Sequence, residues 1–171
     1  MGDGSLTSRA LDDADVAAVA RVVRTVADEG RWIATAPGTP VEELEARYAR
    51  LVADPAAHVV VVLDGDAAVG VGTIAPPAPR WPAVLGMSIA ATHRGRGGGR
   101  LLLGDLLSRA TADPGIHKVA LEAWTDNAAA IGLYAAHGFV VEGILRDHWL
   151  DATTGAPRSS ICMGWWPARG D

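Results

Sequence analysis

The segment formed by residues 93–100 constrains the fold of this chain more than any other. It reads His-Arg-Gly-Arg-Gly-Gly-Gly-Arg, with four glycines, four basic or potentially basic side chains and no acidic residue. An apolar run precedes it, and a helix-like run of leucines follows it. Glycine lets backbone N–H groups come close to a ligand, and a helix N-terminus presents unpaired N–H groups with a partial positive charge. A strand, this turn and a helix therefore predict a phosphate or pyrophosphate site.

Two common phosphate-binding loops do not fit this segment. A P-loop ends in Lys followed by Ser or Thr, and the chain has no such pair after its glycines. A dinucleotide-binding loop requires a third glycine where Arg100 stands. The pattern that remains, Arg94-x-x-Gly97-x-Gly99, resembles the Gln/Arg-x-x-Gly-x-Gly/Ala loop with which GNAT acetyltransferases hold the pyrophosphate of acetyl-CoA.

A second segment, residues 119–140, carries the same resemblance. It begins as an apolar strand, Asn127 then opens a helix that carries Tyr134, and Gly138-Phe139 leads into the next strand. This order is similar to the family's strand, Asn-initiated helix with tyrosine, and Gly-Phe sequence. Both motifs stand in the family's order and separation, and the resemblance extends over roughly residues 5–165.

The resemblance implies acetyl-CoA as co-substrate, with no metal, and it implies which residues bind it. Loop N–H groups would hold the pyrophosphate, with Arg96 or Arg100 touching a phosphate from outside. Main-chain groups of Met87 and Ile89 would pair with the pantetheine arm, and Asn127 would contact the arm while capping its helix. The implied cofactor-binding residues are Met87, Ser88, Ile89, Arg94, Gly95, Arg96, Gly97, Gly98, Gly99, Arg100, Asn127 and Tyr134.

Two residues are candidates for the proton transfers of acetyl transfer to an amine. Tyr134 is the predicted general acid, because a phenol is protonated at neutral pH and donates to a thiolate leaving group. Glu122 is the predicted general base, since ribosomal-protein N-terminal acetyltransferases of this superfamily use a glutamate at this motif position through water. The alternative for Glu122 is that it has no catalytic role and is a strand residue whose side chain faces solvent.

The base and the acceptor stay open at this point. Glu29 is a rival base because it ends the first predicted helix beside the loop in which family members build the acceptor pocket; His148 or Asp151 would enter from the last hairpin. Trp32 and Trp149 are candidates for lining the acceptor pocket, together with Glu29. The acceptor is a primary amine on a small molecule or a peptide N-terminus. The alternative function is a CoA-binding sensor or regulatory module without turnover.

The pattern of apolar residues and turn signals predicts a mixed α/β fold with one central sheet. This is also the GNAT order, and the resemblance implies a central, mixed, mostly antiparallel sheet flanked by helices. A Thr39-x-x-Glu42 capping box starts the second helix. The predicted strands span residues 5–9, 58–63, 67–74, 84–90, 117–124, 140–150 and 158–165, and the predicted helices span 12–29, 39–52, 98–112 and 127–137.

Length and composition fit one acetyltransferase domain over residues 1–171. The formal charge of −5 disfavours nucleic acid as a partner. The single cysteine, Cys162, excludes an internal disulfide and fits a reducing cytoplasm. The sequence has no apolar run long enough to cross a membrane. A homodimer through the C-terminal hairpin is the predicted assembly, because Trp165-Trp166 would otherwise be exposed.

Overall fold

The strands and helices follow one another in the predicted mixed order. A computed structural model describes residues 5–76 and 82–168. The strands are β1 (Leu6–Ala10), β2 (His58–Asp64), β3 (Ala67–Ala75), β4 (Ala83–Ile89), β5 (Val119–Trp124), β6 (Val140–Leu150) and β7 (Pro157–Trp165). The helices are α1 (Val16–Asp28), α2 (Val41–Ala53), α3 (Gly98–Ala112) and α4 (Ala128–Ala136).

Within the described residues, the seven strands form one sheet in the order β1-β2-β3-β4-β5-β7-β6. Neighbours are antiparallel except β4 and β5, which run parallel. These two strands pair only at their beginnings, Ala83 with Val119 and Val84 with Ala120. Beyond that point β4 still pairs with β3 and β5 still pairs with β7. The sheet therefore opens into a gap between the C-terminal halves of β4 and β5.

Helices cover both faces of the sheet, and strand β2 shows why. It is a run of four valines because it is buried on both sides. Val59 and Val61 pack in the core formed with α1 and α2, whereas Val60 and Val62 pack in the core formed with α3. The second core continues to Tyr134 of α4. The gap between β4 and β5 therefore has α3 and α4 on one face of the sheet and α1 and α2 on the other.

The helix starts include one wrong prediction. The segment predicted as helix from residue 12 begins with a short 3₁₀ turn, where Asp12 and Asp15 form a reciprocal capping box. The predicted capping box at Thr39 is absent, because the N-cap is Pro40 and Thr39 lies one residue before this N-cap. The Thr39 hydroxyl donates to the Ala36 carbonyl at 2.7 Å instead.

The remaining boundaries agree closely with the sequence pattern. Helix α3 and strand β6 begin and end at the predicted residues, and β5 begins two residues later than predicted, at Val119 rather than residue 117. Asn127 caps α4, since its side-chain oxygen accepts from the Ala130 N–H at 3.2 Å. The mixed α/β fold class is confirmed. In the part of the chain that the structure describes, no helix has the length and apolar character needed to cross a membrane.

Candidate active site

A cavity of about 770 Å³ lies where β4 and β5 separate. It extends from the glycine-rich loop and α4 on one side of the sheet to the segment after α1 on the other. Its lining residues are Val26, Trp32, Ile33, Ala34, Val84, Leu85, Gly86, Met87, Ser88, Ile89, Arg94, Gly95, Gly97, Gly99, Arg100, Glu122, Ala123, Trp124, Asn127, Ala129, Ala130, Leu133, Tyr134 and Trp149.

The main chain of β4 borders this cavity. The Ala90 N–H donates to the Val69 carbonyl of β3 at 2.9 Å, and main-chain groups of alternate residues point to opposite neighbours in an antiparallel pair. The N–H and C=O groups of Met87 and Ile89 therefore face the gap. The Ile89 carbonyl accepts from Nε of Arg94 at 3.0 Å. The groups of Met87 face the space from which β5 has diverged.

The glycine-rich loop forms a cradle at the start of α3. Gly95 and Gly97 have φ angles of 74° and 88°, a region that favours glycine. A Cβ built at either residue would meet no atom within 4 Å, so open space lies beside both. Helix α3 begins immediately after Gly97, and the N–H groups of its first turn have no intrahelical partner. Gly98 differs, because it is buried and its Cβ would lie 3.2 Å from Leu6.

The arginines of the loop fall into two classes. Arg94 forms a two-pronged ion pair with Glu29, at 2.7 and 2.6 Å, and so ties the loop to the end of α1. Arg96 lies 3.1 Å from Asp64, the last residue of β2, and is outside the cavity lining. Arg100 lines the cavity, and its guanidinium has no hydrogen-bond or ion-pair partner among the described residues. Arg100 is thus the loop arginine that is available to an anionic ligand.

Tyr134 is buried on α4 yet borders the cavity. Its ring packs against Phe139 at a centroid distance of 5.7 Å, and the residue is 9% exposed. Burial raises the pKa of Tyr134 to about 12, because the phenolate would lose its hydration. Its hydroxyl makes no hydrogen bond to any described residue. The hydroxyl is therefore a protonated donor without a protein acceptor.

Glu122 of β5 is held by two neutral donors. The Trp149 indole N–H and the Ser160 hydroxyl both donate to its Oε1 atom. Oε2 has no partner among the described residues, so one oxygen is fixed by the protein and the other is available. Cys162 lies opposite Glu122 on β7, and burial and then the charge of Glu122 raise the pKa of its thiol. That shift disfavours a cysteine nucleophile.

The two candidate proton carriers lie on opposite faces of the sheet. Leu121 packs in the same core as Tyr134, and successive strand residues point to opposite faces. Glu122 therefore points to the α1 side, while Tyr134 approaches from the α4 side. Both line the cavity because it passes through the gap. The arrangement places a carboxylate and a phenol on either side of one opening.

Aromatic side chains surround the Glu122 end of the cavity. Trp124 and Trp149 meet edge to face at 5.6 Å, and Trp32 joins them from the segment after α1. The guanidinium of Arg158 lies 4.4 Å above the Trp124 ring. The sequence analysis missed Trp124, Ile33 and Arg158. Trp124 had a signal, because it stands two residues after Glu122 on one strand and so shares its face.

The rival bases lie outside this cavity. Glu29 is occupied by Arg94, and it borders a smaller polar pocket of about 310 Å³ together with Asp151. Asp151 caps the β6–β7 turn, and hydrogen bonds from Thr154 lower the pKa of its carboxyl. His148 packs edge-on against Trp149 and is not part of the lining. Among the candidates for the base, Glu122 alone borders both the gap and the aromatic pocket.

Comparison with known proteins agrees with this geometry. The model of the acetyltransferase (GNAT) family matches residues 23–139. A phosphinothricin acetyltransferase from Sinorhizobium meliloti, solved with AcCoA, is 20% identical with a TM-score of 0.86, over 96% of this chain and 90% of that one. A spermidine N-acetyltransferase from Vibrio cholerae, solved with CoA and spermine, is 25% identical with a TM-score of 0.78, over 95% of each chain.

A third solved structure adds another kind of acceptor. The ribosomal-protein-alanine N-acetyltransferase from Brucella melitensis is 22% identical with a TM-score of 0.81, over 93% of this chain and 98% of that one. No curated protein matches the sequence significantly.

Proposed function

This chain belongs to the acetyltransferase (GNAT) family and is an acyltransferase, and we propose that it transfers an acetyl group from acetyl-CoA directly to a primary amine. One observation carries the proposal: the β4–β5 gap joins an anion-binding loop to a carboxylate, with a buried phenol on the opposite face. The proposal treats residues 1–171 as one acetyltransferase domain in the cytoplasm. The continuous seven-stranded sheet, with β1 and β6 at its edges, supports the assignment to one domain.

The residues at the loop fit acetyl-CoA. Open space beside Gly95 and Gly97 leaves the N–H groups of the loop and the first turn of α3 free for a pyrophosphate, and the helix dipole favours its charge. Arg100 would add a charged contact to a phosphate. The outward main chain of Met87 would bind the pantetheine arm, with Asn127 across the gap. When bound there, acetyl-CoA supplies an acetyl group activated as a thioester.

Glu122 would handle the proton of the acceptor. An amine is protonated at neutral pH and attacks only after it loses a proton. The free Oε2 of Glu122 would accept that proton, directly or through water, while Trp149 and Ser160 keep Oε1 in place. A carboxylate held on one side and free on the other is suited to binding an ammonium group and then a proton.

Tyr134 would assist the departing thiolate. A thiolate, whose conjugate thiol has a pKa of about 8.5, is too weak a base to keep the proton of a phenol with a pKa near 12. The Tyr134 hydroxyl instead donates a hydrogen bond to the sulfur as negative charge develops there. In a buried site such a hydrogen bond stabilises the developing charge more strongly than the same bond does in water. As the C–S bond breaks, the nitrogen of the tetrahedral intermediate releases a second proton, and the thiolate takes up one proton, so that the products are the amide and the free thiol.

The acceptor is a small-molecule amine or a peptide N-terminus. The solved relatives named above include a spermidine and a ribosomal-protein-alanine acetyltransferase. The competing proposal is a CoA-binding sensor without turnover. The free Oε2 of Glu122 and the unpartnered hydroxyl of Tyr134 favour an enzyme, since a binding module has no need of either.

We also expect a homodimer formed through β6. This strand is the last in the sheet, and Val141, Ile144 and Leu150 on it are 55%, 55% and 70% exposed. An exposed apolar edge strand is a site for pairing with another chain. Analytical ultracentrifugation decides the matter: a dimer that Ile144→Lys converts to monomer supports the assignment, and a wild-type monomer contradicts it.

The first experiment is calorimetric titration with acetyl-CoA, CoA and ATP at one salt concentration. Micromolar binding of acetyl-CoA without ATP binding supports the cofactor assignment, and Gly97→Asp should abolish it by adding negative charge to the cradle. Thiol release in the presence of amines then separates the enzyme from the sensor. Binding of ATP without CoA, or CoA binding with no release with any amine or N-terminal peptide, contradicts the proposal.

A further inference from the structure

The charges around the Glu122 end of the cavity are compensated in pairs, with one exception. Glu29 is paired with Arg94 at 2.6 Å. Asp126 is shared by Arg158 at 2.9 Å and Arg31 at 3.5 Å. Each of the guanidiniums of Arg94, Arg158 and Arg31 therefore has a carboxylate partner.

The smaller polar pocket completes the balance. Its remaining carboxylate, Asp151, lies 3.6 Å from Arg158. The three guanidiniums of Arg94, Arg158 and Arg31 thus face the three carboxylates of Glu29, Asp126 and Asp151. Glu122 stands apart, because its partners are a neutral indole and a neutral hydroxyl. Of these four carboxylates, Glu122 is therefore the one without a cationic partner among the described residues.

The wall around that charge is apolar and aromatic. Trp32, Trp124 and Trp149 surround it, and Val26 and Ile33 complete it from the α1 side. Guanidiniums already lie over two of these rings, Arg31 over Trp32 at 4.5 Å and Arg158 over Trp124 at 4.4 Å. The three indoles therefore offer a ligand mainly their apolar surface, which covers an aromatic or aliphatic body. Among the described residues that line the cavity, Glu122 is the one carboxylate.

From these observations we infer that the acceptor is a small primary monoamine with an aromatic or bulky apolar body. This inference rests on the proposed acetyl transfer. Its single ammonium group matches the one free carboxylate oxygen of Glu122, and its body fills the pocket formed by Trp32, Trp124 and Trp149. A polyamine would bring further ammonium groups against an apolar wall. An amino acid would bring a carboxylate to a place where the guanidiniums of Arg31, Arg94 and Arg158 are already paired. Both would lose hydration without gaining a partner.

The test is a panel of four acceptors that differ in charge and body. It compares 2-phenylethylamine, propylamine, phenylalanine and spermidine at saturating acetyl-CoA, with thiol release as the rate and mass spectrometry to identify the product. The kcat/KM for 2-phenylethylamine should exceed that for propylamine by about 100-fold, since the ring leaves water. Phenylalanine and spermidine should each be slower than 2-phenylethylamine by about tenfold or more.

Two variants test the wall and the charge balance separately. Trp32→Ala should lower kcat/KM for 2-phenylethylamine by about tenfold and leave propylamine nearly unchanged, since only the larger body reaches the ring. Trp166→Ala, which alters a tryptophan outside the cavity lining, is the control and should change neither. Asp126→Asn should raise the ratio of phenylalanine to 2-phenylethylamine activity about fivefold, because it frees guanidiniums for a carboxylate. Asp13→Asn, in the 3₁₀ turn before α1, is its control.

The outcomes separate this inference from the proposed function. Acetyl-CoA binding with a preference for spermidine or phenylalanine overturns the monoamine class while acetyl transfer stands. Acetyl-CoA binding without acetylation of any of the four acceptors overturns the class as well. Failure to bind acetyl-CoA removes the proposed function and this inference with it. If Trp32→Ala does not fold, the order of the four acceptors on the wild-type protein still decides.

Discussion

Replacing Tyr134 by phenylalanine isolates the phenolic hydroxyl from the rest of the ring. The side chain is 9% exposed and packs on Phe139, and its hydroxyl makes no hydrogen bond to a described residue. Phenylalanine keeps the ring contacts and breaks no protein hydrogen bond. The free energy of unfolding at pH 7 should therefore change by less than about 1 kcal/mol.

The effect on the reaction should be much larger. General acid or hydrogen-bond assistance by one side chain contributes at least about 100-fold in rate, which corresponds to about 2.7 kcal/mol of transition-state stabilisation. Acetyl-CoA affinity should stay within about threefold, because the ring and the glycine cradle are intact. The chain supplies a matched control in Tyr48, a second buried tyrosine on α2 outside the cavity lining. Tyr48→Phe should keep the full rate.

The assay measures thiol release against pH for both variants, with acetyl-CoA affinity from calorimetry. The wild-type rate should show no alkaline decline from Tyr134 below pH 10, since burial raises its pKa from 10.0 to about 12. A Tyr134→Phe variant that keeps the wild-type rate across the pH range would refute the role of the hydroxyl. A drop in acetyl-CoA affinity that matches the drop in rate would instead assign Tyr134 to binding.

The same pKa difference has a consequence for stability. In the unfolded chain a tyrosine loses its proton near pH 10, whereas folded Tyr134 keeps it to about pH 12. The folded state therefore binds more protons in this interval, and its stability falls as the pH rises through it. The contribution is complete below pH 10. Denaturant titrations should show that the wild type loses stability relative to Tyr134→Phe between pH 10 and pH 12.

Three further predictions concern Glu122, Gly97 and Cys162, and the first two each have a matched control. Glu122→Gln should lower kcat by about 100-fold or more, most strongly at pH values where the amine is protonated. Glu29→Gln should mainly weaken acetyl-CoA binding through the loop. Equal pH profiles of the two variants in initial-rate assays would contradict this distinction. Gly97→Ala should cost about 1–2 kcal/mol, because its φ is 88°, whereas Gly104→Ala, in the middle of α3, should stabilise by about 1 kcal/mol in denaturant titrations. Cys162 should react slowly with iodoacetamide at pH 8, because burial and the charges of Glu122 and Glu142 raise the pKa of its thiol. Alkylation should be faster in Glu122→Gln, and an unchanged rate in that variant would show that Glu122 does not contribute to the protection.

Local patterns in the sequence predicted most of the fold. Helix α3 follows from the glycine cluster and the leucines after it, and its bounds are as predicted. The cap at Asn127 is also as predicted, because capping depends on neighbours within one turn. The capping box at Thr39 failed because the chain gives two adjacent starting points, and Pro40 takes the N-cap position. A motif of four residues does not choose between them.

The charge pairs of the site were beyond the sequence. Arg94 and Glu29 are 65 residues apart and meet only because α1 packs beside the loop after β4. Arg96 likewise contacts Asp64, the last residue of β2, only in the folded chain. The motif does not distinguish among the loop arginines, whereas the tertiary contacts leave Arg100 as the one without a partner among the described residues. The sequence also does not show where two parallel strands stop pairing, because both strands keep their strand character past that point, where β4 pairs with β3 and β5 pairs with β7.

The brief contact between β4 and β5 bears on the order of events during turnover. Because the strands pair at only two positions, one opening serves both faces of the sheet. In the proposed reaction the thioester and the amine would approach this opening from opposite faces of the sheet, so that neither would block the route of the other. Such a site favours a ternary complex, in which both reactants are present together, over a relay through an acetylated side chain. It also allows the acetylated amine to leave on its own side while the spent carrier still occupies the glycine cradle.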